Sequence, residues 1–116
     1  MTPAVPALDF ALATDGRGFR TPAAGLVSLG RRQAMRRILL QLMEQRFAAP
    51  GAPLSTPALI EVGWPGERMQ PSAAQNRFYN AMAVLRSLGL REVLISSYDG
   101  YAIDLELSVG WGDPVP

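Results

Sequence analysis

The sequence predicts an α+β fold in which three helices lie between a small N-terminal antiparallel sheet and a C-terminal β-hairpin. Three observations lead to this prediction. Apolar residues recur at helical spacing through residues 31–47. Breakers rich in proline and glycine separate that segment from two further helical segments. Residues 103–107 alternate between apolar and acidic side chains, as a half-buried strand does.

At 116 residues the chain has room for one domain with one hydrophobic core. We expect this domain to span residues 8–108. Residues 1–7 are rich in proline and alanine and are predicted to be a loose N-terminal lead-in. Residues 109–116 are predicted to be a C-terminal tail.

The N-terminal sheet is predicted from short apolar runs separated by turn residues. The strands lie near Leu8 to Ala13, Gly18 to Arg20 and Leu26 to Leu29. The turns fall at residues 15–18 and 21–25, which are rich in glycine, proline and aspartate.

The first helix is predicted over Arg31 to Phe47. Its apolar face comprises Ala34, Met35, Ile38, Leu39, Leu42, Met43 and Phe47. Residues 49–53, Ala-Pro-Gly-Ala-Pro, end it.

Two shorter helical segments follow. Ser55 is predicted to cap the second helix, with Pro57 in its first turn, and this helix stops near residues 63–66. Ser72 is predicted to cap the third helix, which runs to about Leu88. The third helix has an apolar stripe formed by Phe78, Ala81, Met82, Leu85 and Leu88.

The hairpin is predicted to pair Val93 to Ser96 with Tyr101 to Leu107, turning at residues 97–100. Ile103, Leu105 and Leu107 are expected to face the core. Asp104 and Glu106 alternate with them and are expected to face solvent.

A three-helix core followed by a hairpin is the winged helix-turn-helix arrangement. Several short motifs also occur along the chain in the same order as in one family with this arrangement. They are Val27-Ser28-Leu29 before the first helix, Leu54-Ser55 and Leu59–Trp64 at the two ends of the second, Val84–Leu88 at the end of the third, and Gly100-Tyr101 in the hairpin. In these motifs the chain resembles the C-terminal DNA-binding (effector) domain of OmpR/PhoB-type response regulators, over about residues 8–107. The chain contains no receiver domain.

The resemblance implies a bacterial, cytoplasmic DNA-binding transcription regulator whose third helix, residues 72–88, enters the major groove of double-stranded DNA. The sequence departs from the family in two respects. Its third helix carries only Arg77 and Arg86, where the family has several basic residues. Its hairpin has Asp99 and Asp104 near Gly-Tyr, where the family usually has arginine.

The candidate residues for reading bases lie on the outer face of the third helix. Asparagine can pair with adenine through two hydrogen bonds, and arginine can pair with guanine in the same way. The candidates are Asn76, Asn80 and Arg86, with Gln75, Arg77 and Tyr79 beside them. An ordinary solvated helix face would also carry such residues, so both interpretations stay open.

The candidate phosphate contacts are Arg31, Arg32 and Arg91. The first two lie at the start of the first helix, where backbone N–H groups also favour anions. Trp64 could donate its indole N–H to the DNA backbone, or it could pack as an apolar plug beneath the neighbouring loop.

The composition argues against an enzyme. The chain contains no cysteine and no histidine, so it lacks thiol chemistry, the commonest general base and the commonest metal ligand. We expect no catalytic residues, no metal and no cofactor. Asp99, Asp104 and Glu106 are interpreted as a solvated acidic face. No apolar stretch approaches about 20 residues, so no membrane association is expected.

Charge is distributed unevenly along the chain. All 11 basic residues are arginine, and residues 17–46 hold seven of them against Glu44 alone. No basic residue follows Arg91, whereas five acidic residues do. The leading hypothesis is a DNA-binding regulator that acts as a homodimer or with another transcription protein. The alternative is a winged-helix module for protein–protein interaction that binds DNA weakly or not at all because its wing is acidic.

Overall fold

A computed structural model describes residues 8–112 and shows an α+β architecture with three helices and two sheets. The elements in chain order are β1 (Phe10–Leu12), β2 (Gly18–Thr21), β3 (Gly25–Ser28), α1 (Gln33–Ala48), α2 (Thr56–Gly63), α3 (Pro71–Leu85), β4 (Leu94–Ser97), β5 (Gly100–Ile103) and β6 (Val109–Trp111). Every predicted helix and strand has a counterpart in this order, and β6 is additional.

The first sheet has four strands in the order β3-β2-β1-β6. Its first three strands are antiparallel neighbours, while β6 pairs parallel to β1 with Trp111 opposite Leu12. The structure therefore differs from the prediction that residues 109–116 are a tail, because Val109–Trp111 complete the sheet. Residues 113–116 and the predicted lead-in, residues 1–7, lie outside the described residues.

The position of β6 is fixed by contacts between Asp9 and Ser108. The backbone N–H of Ser108 donates to the Asp9 carboxylate at 2.9 Å, and its hydroxyl donates to the same oxygen at 3.1 Å. In return, the Asp9 N–H donates to the Ser108 carbonyl at 2.9 Å. These bonds join residues 99 positions apart in the chain, so no local sequence pattern predicts them.

One hydrophobic core joins the sheet to the helices. It is formed by side chains from β1, β2, all three helices and the hairpin, and it includes Phe10, Phe19, Ile38, Leu42, Leu59, Phe78, Leu85 and Ile103. The helical stripe predicted for α1 supplies its buried face, Ile38, Leu39, Leu42 and Met43. Phe47 lies at the end of that stripe but is exposed.

The caps of α2 and α3 differ. The Ser55 hydroxyl accepts a hydrogen bond from the Ala58 N–H at 3.2 Å, which confirms the predicted cap of α2. The predicted cap of α3 at Ser72 is wrong. That helix begins at Pro71, with Gln70 at the N-cap position, because proline already has the backbone angle of a first helical residue.

The end of α3 continues into a π-type turn, Arg86–Leu90, which is kinked at Gly89, where φ is 130°. The hairpin follows, with Ser97 opposite Gly100 and Tyr98-Asp99 forming the turn. Leu54, in the segment between α1 and α2, adds an antiparallel bridge to Tyr101. The hairpin is thereby attached to the helical core along one side.

The second strand of the hairpin is shorter than predicted. It stops at Ile103, because the Asp104 carboxylate accepts a hydrogen bond from the Glu106 N–H at 3.0 Å and turns the chain. Arg46 then donates to the carbonyls of Leu105 and Leu107, both at 3.2 Å. Leu105 is consequently 54% exposed, so the prediction that it is buried is wrong.

Within residues 8–112, no helix is both long enough and apolar enough to cross a membrane. The same residues contain no group of three or more acidic side chains placed to bind a metal ion.

Candidate nucleic-acid interface

One side of α3 is buried and the other is fully open to solvent. Ala74, Phe78, Ala81, Met82 and Leu85 face the core and fix the rotation of the helix about its axis. The residues that this rotation exposes are Ser72, Ala73, Gln75, Asn76, Arg77, Tyr79, Asn80 and Ala83. No acidic residue occurs between Pro71 and Leu90, so this face carries amides, small side chains, arginine and one tyrosine.

Asn76 and Asn80 lie one turn apart on this exposed face, where the sequence predicted them. Side chains four residues apart on a helix point in nearly the same direction. The two amides therefore form the centre of the surface that we call the amide face, defined by Gln75, Asn76 and Asn80.

Arg77 lies beside the amide face but is engaged by its neighbours. Its Nη1 is 3.3 Å from the Glu67 carboxylate, and its guanidinium carbon is 5.7 Å from the centre of the Trp64 ring. Both side chains of the ion pair are about half exposed, so the pair is screened by solvent.

Trp64 occupies the C-cap position of α2 and packs, partly buried, against the hydrophobic core. Its ring also forms the surface on which Arg77 lies. Trp64 therefore packs as an apolar plug and also lies at the edge of the candidate interface, so both interpretations of this residue from sequence remain compatible with its position.

Arg86 is separated from the amide face. It is only partly exposed, its Nη2 donates to the Leu94 carbonyl at 3.4 Å, and its guanidinium carbon lies 5.7 Å from the centre of the Tyr101 ring. The trio proposed from sequence is thus divided. The two asparagines point to solvent, whereas Arg86 is held against the hairpin.

Tyr79 lies on the side of α3 that faces the hairpin. Its ring packs edge-on against Phe78 with 5.6 Å between ring centres, and half of the residue remains exposed. It lines a cleft of about 300 Å³ with the start of α2 and the hairpin turn at Tyr98 and Asp99. Tyr79 could therefore touch a ligand that spans α3 and the hairpin.

Arg31 and Arg32 are exposed immediately before α1, and Arg32 is its N-cap residue without a side-chain capping bond. Arg32 shares a groove of about 310 Å³ with Trp64, Arg77 and Asn80. Four residues singled out from sequence, on three different segments, are therefore neighbours.

The floor of this groove is apolar and was not predicted as part of the site. It comprises Ala34, Met35, Ala81 and Val84. Met35 belongs to the helical stripe of α1, and periodicity alone cannot separate a core residue from one that lines a groove at the edge of the core.

Two exposed arginines border the candidate interface at its ends. Arg68 lies in the segment between α2 and α3, and sequence analysis did not single it out. Arg91 follows the π-type turn and lies at the opposite end of α3 from Arg68. Neither forms an ion pair with another residue in the range 8–112.

The hairpin presents an acidic and aromatic tip. Tyr98 is fully exposed at the turn beside the exposed Asp99, and residues 94–103 contain no basic side chain. Burial raises the pKa of Tyr101 above its ordinary value of 10.0. Tyr79 raises it further, while the nearby Arg86 guanidinium lowers it.

No protein family, no curated protein sequence and no solved structure matches the chain.

Proposed function

We propose that the chain is a DNA-binding transcription regulator of the winged helix-turn-helix, OmpR/PhoB type, in which α3 reads the major groove of double-stranded DNA. The observation that carries the proposal is the amide face of α3, which is exposed, free of acidic residues and bordered by arginines. In this proposal the chain is a binding protein without enzymatic activity or cofactor.

Base reading is assigned to Asn76 and Asn80. A carboxamide offers one donor side and one acceptor side, which match the N6 and N7 positions of adenine in the major groove. Gln75 offers the same chemistry one residue before Asn76. The neighbouring Ala73 and Ala83 are small, and they leave room for the helix to approach base edges.

Phosphate contacts are assigned to the groove lined by Arg32, Trp64 and Arg77, together with the adjacent Arg31. These side chains come from the start of α1, the end of α2 and the middle of α3. A DNA strand that passes beside α3 would meet all of them. Such contacts fix the position of the protein on the duplex without selecting a sequence.

Arg86 takes a different role from the one expected from sequence. It holds the hairpin against the end of α3, so we assign to it the positioning of the wing and not the reading of guanine. The acidic turn at Asp99 would repel phosphate, which supports a binding mode in which α3 carries most of the contact.

The experiment is selection of bound duplexes from random-sequence DNA, followed by mobility shifts at low and moderate salt. Phosphate contacts predict that affinity falls as salt rises. Asn80→Ala should cost about 1–3 kcal/mol on the selected site and little on unrelated DNA. Arg32→Ala should weaken binding to both. Arg17→Ala serves as the matched control for Arg32→Ala, because Arg17 is exposed between β1 and β2 and is distant from α3 in the chain.

The second candidate is a protein-interaction module, and the observation that favours it is the hairpin tip. An exposed tyrosine next to an aspartate is suited to a basic, partly apolar protein surface. Absence of any DNA binding at low salt would refute the first candidate and leave this one.

A further inference from the structure

The strand β6 lies at one edge of the four-stranded sheet, and no strand within residues 8–112 pairs with its outer side. The Ser108 carbonyl accepts hydrogen bonds from β1, and the Gly112 N–H donates to the Leu12 carbonyl at 3.0 Å. A strand in a parallel ladder bonds one neighbour through alternate residues. The backbone N–H and C=O groups of Gly110 therefore also point towards β1. Those of Val109 and Trp111 point away from the sheet.

The side chains around this edge are apolar and exposed. The Trp111 ring stacks on Phe47 with 6.4 Å between ring centres, and these residues are 38% and 49% exposed. Leu8 lies over Gly110 and is itself 38% exposed. Residues 108–112 carry no charge, whereas solitary edge strands usually carry charges that prevent pairing.

We infer that a second copy of this chain pairs with β6 in antiparallel orientation, about a two-fold axis through Gly110. The open groups at Val109 and Trp111 are placed symmetrically on either side of Gly110. Val109 of each copy then lies opposite Trp111 of the other, and each such pair exchanges two backbone hydrogen bonds. The contact is isologous and closes after two copies.

The side chains fit this arrangement on both faces of the sheet. On the inner face, each Trp111 ring lies beside the partner's Val109. On the outer face, the Leu8 side chains of the two copies approach each other over a pair of glycines. Apolar surface meets apolar surface on each side of the axis. The symmetric placement of the open groups about Gly110 favours a second copy as the occupant. The inference does not rest on the proposed DNA binding.

Disulfide cross-linking tests the axis, because the natural chain contains no cysteine. Gly110 faces its own counterpart as a non-hydrogen-bonded pair, with Cα atoms about 4.5 Å apart, which suits a disulfide. A side chain at position 110 meets only the flexible end of Leu8, at 2.7 Å. Gly110→Cys should therefore form a covalent dimer under air oxidation.

Two matched single-cysteine variants serve as controls. Ala11 lies on β1 opposite Gly110, one strand further from the axis, so Ala11→Cys should stay monomeric on denaturing gels. Leu26 lies on β3, the other edge of the same sheet. Cross-linking of Leu26→Cys in place of Gly110→Cys would overturn the inference.

Sedimentation of the uncross-linked chain gives the second test. Val109→Pro removes an outward N–H that β1 does not use, and it should raise the dimer dissociation constant at least about tenfold. Val109→Ala keeps that N–H and should dimerise more nearly like the parent. Circular dichroism and thermal melting check that both variants are folded. If Val109→Pro does not fold, the cross-linking of Gly110→Cys alone tests the inference.

The sedimentation experiment runs from about 1 µM to about 1 mM, because an interface of two short strands is expected to be reversible. A parent chain that is monomeric throughout this range, with no cross-linking of Gly110→Cys, would overturn the inference. That result would point instead to coverage of the edge by another segment of the same chain. DNA binding by such a monomer would leave the proposed function standing.

Discussion

The guanidinium of Arg86 lies over the ring of Tyr101 at 5.7 Å and also donates to the Leu94 carbonyl at 3.4 Å. One arginine just past the end of α3 therefore contacts both strands of the hairpin. These two contacts attach the hairpin to the end of α3, while its turn projects into solvent.

Arg86→Met should lower the free energy of unfolding by about 1–2 kcal/mol, because it removes a cation–π contact and a hydrogen bond while keeping most of the apolar bulk. Urea unfolding measures this change. Arg91→Met, at an exposed position, should change stability by less than about 0.5 kcal/mol. Equal effects of the two substitutions would contradict the assigned role of Arg86.

The raised pKa of Tyr101 predicts a loss of stability in alkali. Burial disfavours the tyrosinate, so the folded-state pKa lies above the unfolded value of 10.0. The stabilising contribution is complete below pH 10 and is lost as pH rises through the folded-state pKa. Tyrosinate absorbance should show a step for Tyr101 above pH 10.

Tyr101→Phe provides the control for this pH dependence. It removes the ionisable hydroxyl and keeps the ring on which Arg86 lies, so the late absorbance step should disappear. The decline in stability above pH 10 should become shallower. Persistence of the late step in this variant would contradict its assignment to Tyr101.

Ser55→Ala should destabilise the fold by about 1 kcal/mol, because Ser55 caps α2 by accepting the Ala58 N–H. Ser72→Ala is the matched comparison. Ser72 is exposed in the first turn of α3 and does not cap it, so its substitution should change stability by less than about 0.5 kcal/mol. Thermal melting of both variants tests the correction made to the predicted start of α3.

Gly100→Ala should destabilise the hairpin by about 3 kcal/mol or more. Gly100 has a φ of 141°, and a Cβ there would overlap the carbonyl of Leu54, which accepts a hydrogen bond from the Tyr101 N–H at 2.9 Å. Gly66→Ala shares the positive φ but meets open space, so only about 1 kcal/mol of backbone strain is expected. Urea denaturation compares the two, and equal losses would show that the Leu54 contact is unimportant.

Glu67→Gln should tighten DNA binding if the proposed function is correct. The substitution frees Arg77 from its ion pair, and because that pair is half exposed it should cost no more than about 1 kcal/mol of stability. Glu92→Gln changes the net charge equally at an exposed position beyond the end of α3. Mobility shifts on the same duplex compare them, and equal affinities would indicate a general charge effect.

The features that the sequence predicted correctly depend on local chemistry. The stripe from Ile38 to Met43 has helical period, and a serine before Thr56-Pro57 is a strong N-cap signal, so α1 and the start of α2 follow from neighbouring residues. The outward position of Asn76 and Asn80 follows in the same way, because the buried stripe of α3 fixes which side is left exposed.

The features that the sequence missed depend on partners distant in the chain. Strand β6 forms because Ser108 meets Asp9, and neither residue marks a strand by itself. The separation of the exposed asparagines from the engaged arginines in the candidate site also depends on residues distant in the chain. Only the folded structure brings Glu67 to Arg77 and Tyr101 to Arg86, and these contacts separate engaged arginines from exposed amides.

The parallel pairing of β1 with β6 has a consequence for how the chain is made. Residues 10–12 are synthesised about a hundred residues before the strand that covers their outer edge. Until residues 109–111 have left the ribosome, β1 is an exposed strand edge that other nascent chains could join. The sheet can therefore be completed only after this delay, and during it the open edge of β1 is exposed to aggregation.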